Sequence, residues 1–145
     1  MDEKINTITF KIVTPEGVVY ESDIDKVTIP TEVGQITVLP NHTPIVSVLK
    51  AGELIVHKDA TVYGLAVSGG VLEIRPTGEV YIMADTAERA EHIDIERAEA
   101  ARVRAEELLK QEQFMADVDF ARLQAVIEKE LARLDVARKY RNIRR

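Results

Sequence analysis

Polar and apolar residues alternate one by one through Thr7-Ile8-Thr9-Phe10-Lys11-Ile12-Val13, and the alternation stops at the turn cluster Thr14-Pro15-Glu16-Gly17. A period of two turns one face of a strand toward a core and the other toward water. The pattern resumes at Val18-Val19-Tyr20, passes Ile24, and continues through Val27-Thr28-Ile29 to Pro30. Further strands are predicted over residues 35–39, 45–49, 53–57, 62–67, 71–75 and 80–84. Gly52, Gly64, Gly69-Gly70 and Gly78 punctuate these runs, so the glycine pair reads as a turn between two strands. Many short strands with frequent turns predict an antiparallel β-sandwich or flattened barrel over residues 1–85.

The period changes after residue 85. From Ile95, the residues Ala98, Ala101, Ala105 and Leu108 follow at three- and four-residue spacing, which predicts a helix with a narrow alanine face. Glu106 and Lys110 stand as an i,i+4 pair of favourable polarity. After a connection over 111–116, Asp117 or Asp119 can cap a second helix, whose stripe reads Phe120, Leu123, Ile127, Leu131 and Leu134. So short a link predicts an antiparallel two-helix hairpin over residues 86–145. An alanine face against a leucine face makes a thin seam, and such a hairpin is marginal enough to open.

The junction His92-Ile93-Asp94-Ile95-Glu96-Arg97-Ala98 divides the two regimes. Asp94 suits an N-cap, and Ile93 and Ala98 occupy the positions of a hydrophobic staple. Arg97 is less easily placed, because a cation in the first turn meets the positive end of the helix dipole. Two readings stand: it pairs with Asp94 or Glu96, or it joins the helix N-terminus in meeting an anion.

Composition divides at the same boundary. All seven glycines and all five prolines precede residue 86. Residues 1–85 carry 6 basic and 12 acidic side chains, residues 86–145 carry 13 of each, and the 145-residue chain has a formal charge of −6. An acidic β-rich half excludes nucleic acid as the main partner. The exception in charge is the tail, with Arg138, Lys139, Arg141, Arg144 and Arg145. There is no cysteine, which removes disulfides and thiolate chemistry. The N-terminus (Met1-Asp2-Glu3-Lys4) is not a signal peptide and no apolar run reaches a membrane span, so the expected location is the cytoplasm or the cytoplasmic side of a membrane. His42, His57 and His92 lack ligand spacing, Ser22, Ser47 and Ser68 sit in no nucleophile motif, and there is no phosphate-binding glycine loop. These residues point to a non-catalytic binding or regulatory protein.

The segment Gly34-Gln35-Ile36-Thr37-Val38-Leu39-Pro40-Asn41-His42-Thr43-Pro44 resembles the epsilon subunit of F-type ATP synthases. So does Ala84-Asp85-Thr86-Ala87-Glu88-Arg89-Ala90 leading to Ile93-Asp94-Ile95-Glu96-Arg97-Ala98, with Thr37 a departure from the family's usual glycine. The resemblance implies a peripheral subunit on the cytoplasmic face of the cell membrane. Its sandwich would bind the gamma subunit and the c-ring, with Asn41, His42 and Thr43 at the interface. Its hairpin would be folded, or extended into the catalytic head to block ATP hydrolysis, the basic tail then meeting the beta subunit. Bacillus-like members bind ATP as a regulatory ligand through Ile/Leu-Asp-x-x-Arg-Ala, matched by Ile93, Asp94, Arg97 and Ala98. Lys129 and Arg133 match two basic residues of the second helix, Lys129 standing where those members have arginine, and Glu88 matches a further contact. Magnesium is left open. The alternatives are a coupling subunit without functional ATP sensing, and a free-standing nucleotide sensor.

Overall fold

The structure, a computed structural model, describes residues 6–111 and 116–143. Eight strands come first: β1 Ile8–Thr14, β2 Gly17–Ile24, β3 Lys26–Thr31, β4 Gly34–Val38, β5 Ile45–Val48, β6 Gly52–Lys58, β7 Thr61–Ile74 and β8 Val80–Arg89. Two helices follow, α1 Ile95–Gln111 and α2 Asp117–Ile143, after a single 3-10 turn at Ala90–His92. The connection read over 111–116 and the tail residues Arg144 and Arg145 lie wholly or partly outside the described residues, as does Met1-Asp2-Glu3-Lys4.

The alternation read at β1 holds: Ile8, Phe10 and Ile12 are buried, and Thr9 between them is exposed. With Ile24, Val27, Ile29, Leu54, Val56, Leu65, Leu72 and Ile82 they form one apolar core between the faces of the sandwich. The strands run in the order β2-β1-β8-β7-β6-β3-β4, with β5 on β7. Pairing is antiparallel except for β1 with β8, which is parallel, Phe10 opposite Val80 and Ile12 opposite Ile82. This corrects the purely antiparallel expectation, since a period of two identifies faces and not partners.

Two strands expected to be separate are one. β7 runs through Gly69-Gly70, both at positive φ (54° and 115°), without losing its register on β8. Its other neighbour changes there, from β6 paired up to Val67 to β5 paired from Val71. The glycine pair therefore lets one strand serve both layers instead of ending it. A Cβ on Gly70 would lie 2.0 Å from the Met83 carbonyl oxygen, so only glycine fits. β8 likewise continues beyond the expected 80–84 to Arg89.

The helices fold back on each other and α2 lies on β7, β6 and the 3-10 turn. The α2 stripe differs from the one read in the sequence. Leu134 is buried, but Phe120 and Leu131 are 50% and 41% exposed, while Glu130, Ala132, Val136 and Ala137 are buried. The helix faces both α1 and the sheet, so small and charged residues occupy much of what it buries. Glu106 pairs with Arg102 (3.1 Å), not with the Lys110 expected from spacing. No described helix is long and apolar enough to cross a membrane.

Candidate functional site

The start of α1 is fixed by its cap. Asp94 Oδ1 accepts a hydrogen bond from the Arg97 backbone N–H (3.1 Å), and the Ala98 N–H reaches the Asp94 carbonyl (3.1 Å). Ile93 is buried against Ala66, Ala90, Val136 and Ala137, which ties the entry of α1 to both β7 and α2. Ala98 is also fully buried. Ile93 and Ala98 thus position the junction and offer no side chain to a ligand.

Arg133 of α2 reaches the end of β8 at this same place. Its Nε donates to Glu88 Oε2 (2.9 Å), Nη2 to Glu88 Oε1 (3.4 Å) and Nη1 to Glu130 Oε2 (2.8 Å). Burial acts to lower the guanidinium pKa but is outweighed by these hydrogen bonds and charges, which raise it above its ordinary value. Glu130 is 3% exposed, and a carboxylate this buried needs its cation. Lys129 Nζ lies 3.9 Å from its other oxygen.

Glu88, Asp94, Arg97 and Arg133 line one cleft of about 570 Å³, with Ala100 and Ala101 as further walls. Four of the seven residues read as ATP-binding are therefore brought together, from β8, α1 and α2. Lys129 is not in that cleft. It lines the adjoining one with Asp85, Thr86 and Glu88, and Glu88 and Arg133 are shared by the two. His92 and Arg104 line the first cleft and were not read from the sequence. Arg104 stands seven residues after Arg97, two helical turns along one face, and that spacing was the available signal. Arg97 is exposed and forms no ion pair among the described residues, so its pairing with Asp94 or Glu96 is not seen. Three guanidinium groups beside a capped helix N-terminus suit an anion.

Asn41, His42 and Thr43 lie elsewhere, between β4 and β5. Asn41 adopts a left-handed φ of 65°, and His42 Nδ1 bonds the Thr43 carbonyl oxygen (2.6 Å). Asn41 and Thr43 are exposed and His42 is half-buried.

Both halves of the chain match known families. The model of the ATP synthase delta/epsilon chain beta-sandwich domain covers residues 7–90, and that of its long alpha-helix domain covers 91–138. The ATP synthase epsilon chain of Bacillus subtilis is 45% identical over 135 residues, 93% of this chain and 100% of the relative. That of Bacillus licheniformis is 44% identical over 134 residues, 92% of this chain and 100% of the relative. Among solved structures, a chain of the Euglena gracilis mitochondrial ATP synthase OSCP/F1/c-ring assembly superposes with a TM-score of 0.73 at 22% identity, over 88% of this chain and 79% of that one, a likeness of fold. With sandwich and hairpin both matched and relatives aligned along their whole length, the chain belongs to the epsilon-chain family of F-type ATP synthases, a non-catalytic subunit.

Proposed function

We propose that the chain couples the rotor of a proton-translocating ATP synthase to its catalytic head and senses ATP through its hairpin. In this reading the sandwich meets gamma and the c-ring on the cytoplasmic face of the membrane, with Asn41, His42 and Thr43 in the contact. ATP holds the hairpin folded. When ATP falls, the helices extend toward beta, led by the basic tail, and hydrolysis stops.

The observation that carries the reading is the cleft shared by Asp94 at the cap of α1, Arg97 of α1, Arg133 of α2 and Glu88 of β8. It exists only while the hairpin is folded on the sandwich, so a ligand bound there is a ligand for the folded state. Ligand at a hundred times its Kd stabilises that state by about 2.7 kcal/mol, enough to shift two states a few kcal/mol apart. Phosphate oxygens would compete with Glu88 for the guanidinium of Arg133, while Asp94 serves the cap and repels phosphate. Lys129 adds a point charge where an arginine would grip with two donors.

Arg97→Ala is expected to abolish ATP-induced thermal stabilisation and to leave the ligand-free melting temperature within about a degree, because an exposed side chain without partners contributes little. Titration calorimetry with ATP at millimolar concentration tests the whole reading. One observation favours a coupling subunit that does not sense ATP: Arg133 is already engaged by two carboxylates. Absence of heat on titrating the wild-type chain would establish that second reading.

A further inference from the structure

Glu53 of β6, Ala66 of β7 and Glu88 of β8 are direct cross-strand partners and form one row across the sheet. Two strand spacings, about 9.6 Å, separate the two carboxylate-bearing positions. α2 meets both ends of this row. Arg133 binds Glu88, and at the far end Tyr140 Oη donates to Glu53 Oε1 (2.9 Å) while Lys139 Nζ donates to Oε1 and Oε2 (2.9 and 3.0 Å). Arg133 and Tyr140 are seven residues apart, about 10.5 Å along a helix and on one face of it. The repeat of the helix matches the spacing of the row.

A second feature fixes the same end. The ring of Tyr140 occupies the space a side chain would take at Gly64: a Cβ there would lie 2.0 Å from Cε2 and 2.3 Å from Cζ. Gly64 is buried and its φ lies outside the left-handed region, so it is required for room and not for backbone freedom. Burial first, and then Glu53, push the Tyr140 phenol well above its ordinary pKa of 10, so it stays a donor even in alkaline solution.

We infer that Glu53 and Gly64 are positioning residues for the ligand cleft: by receiving Tyr140 and Lys139 they set the register of α2 on the sheet, and so the place of Arg133. This rests on the cleft being a ligand site. A slip of α2 by one turn, about 5.4 Å, breaks both ends of the row together. The two ends are not equivalent. A phosphate that takes Arg133 from Glu88 opens one end, and the Glu53 end then holds the helix in register while the ligand is bound.

The test uses the full chain with ATP as the probe. Glu53→Ala and Gly64→Val are each expected to weaken ATP binding by about tenfold or more. Glu53→Gln, which keeps an oxygen acceptor for the phenol, is expected to recover most of the affinity. A purely structural role would lower the melting temperature without this split between Ala and Gln. A spin-label distance between the end of α2 and β6, measured without ATP, reads the register directly and should lengthen in Glu53→Ala and Gly64→Val. Wild-type affinity in both variants, or an unchanged distance, overturns the inference. If the wild-type chain binds no ATP, the ligand reading falls, and with it the assignment of these residues to a ligand cleft.

Discussion

The sandwich and the hairpin are ordered by different means. In the sandwich, Phe10, Ile12, Ile24, Val27, Ile29, Leu54, Leu65 and Ile82 are fully buried in one apolar cluster drawn from six strands. In the hairpin, the buried residues of α1 are Ala98 and Ala105, and those of α2 include a carboxylate, Glu130. Helix meets sheet through Ala66, Ala90, Ile93, Val136 and Ala137, and through the ion pairs of Glu53 and Glu88. Close-packed apolar volume has no substitute partner, so the sandwich has one arrangement. The seam between helix and sheet is built instead from small residues and ion pairs, and has no comparable apolar volume. On the function proposed above, this seam is the place at which the chain would change shape.

The largest break in that comparison is expected from the sandwich. Phe10→Ala should cost about 3–5 kcal/mol, read as a shift in the urea midpoint, and should take the hairpin with it because α2 docks on the sheet. Leu134→Ala should cost about 2–3 kcal/mol and confine the damage. Amide exchange should accelerate through α1 and α2 while β7 and β8 keep their protection; equal loss in both halves would mean the two are a single cooperative unit.

Smaller effects sharpen the picture of the sandwich. The β6–β7 turn places Asp59 and Ala60 at φ 49° and 62°, and the Asp59 N–H is held by Asp25 Oδ2 at 2.9 Å. Ala60 in that conformation costs roughly 1–2 kcal/mol, and glycine gives back about 0.5–1 in chain entropy. Ala60→Gly should therefore raise stability slightly, by about 0.5–1 kcal/mol in urea titration. The smallest effect concerns His57, whose pKa is lowered from 6.5 by burial and then by Lys26, against an upward pull from Asp25. The unfolded chain then binds a proton that the folded chain refuses. Stability should fall as the pH drops below 6.5 and level off once the folded imidazole is itself protonated. His57→Gln should flatten that part of the stability profile, measured as urea midpoints across the window.

Much of this was legible because the sandwich obeys a simple rule: alternate residues of β1 face the core, and a period of two says so. What the rule omits is who pairs with whom, hence the parallel β1–β8 ladder and the continuous β7 were not visible. In α2 the reading went to the largest apolar residues, and two of these, Phe120 and Leu131, face outward. The helix is held where Arg133, Lys139 and Tyr140 sit, in contacts made to strands far away in sequence. The cap at Asp94 was local and could be read. Arg104 could have been found from its spacing to Arg97, whereas Glu53 needed α2 to be folded onto the sheet before its neighbours were apparent.

The parallel pairing of β1 with β8 bears on the order of events during synthesis. Among the described strands the earliest has the latest as one of its two neighbours, so the sheet cannot close until residues up to Met83 have left the ribosome. Until then β1 and β2 form a hairpin with an open edge, exposed to other chains. The row that receives α2 includes Glu88, near the end of that last strand. Docking of α2 on that row therefore has to wait until β8 has been made.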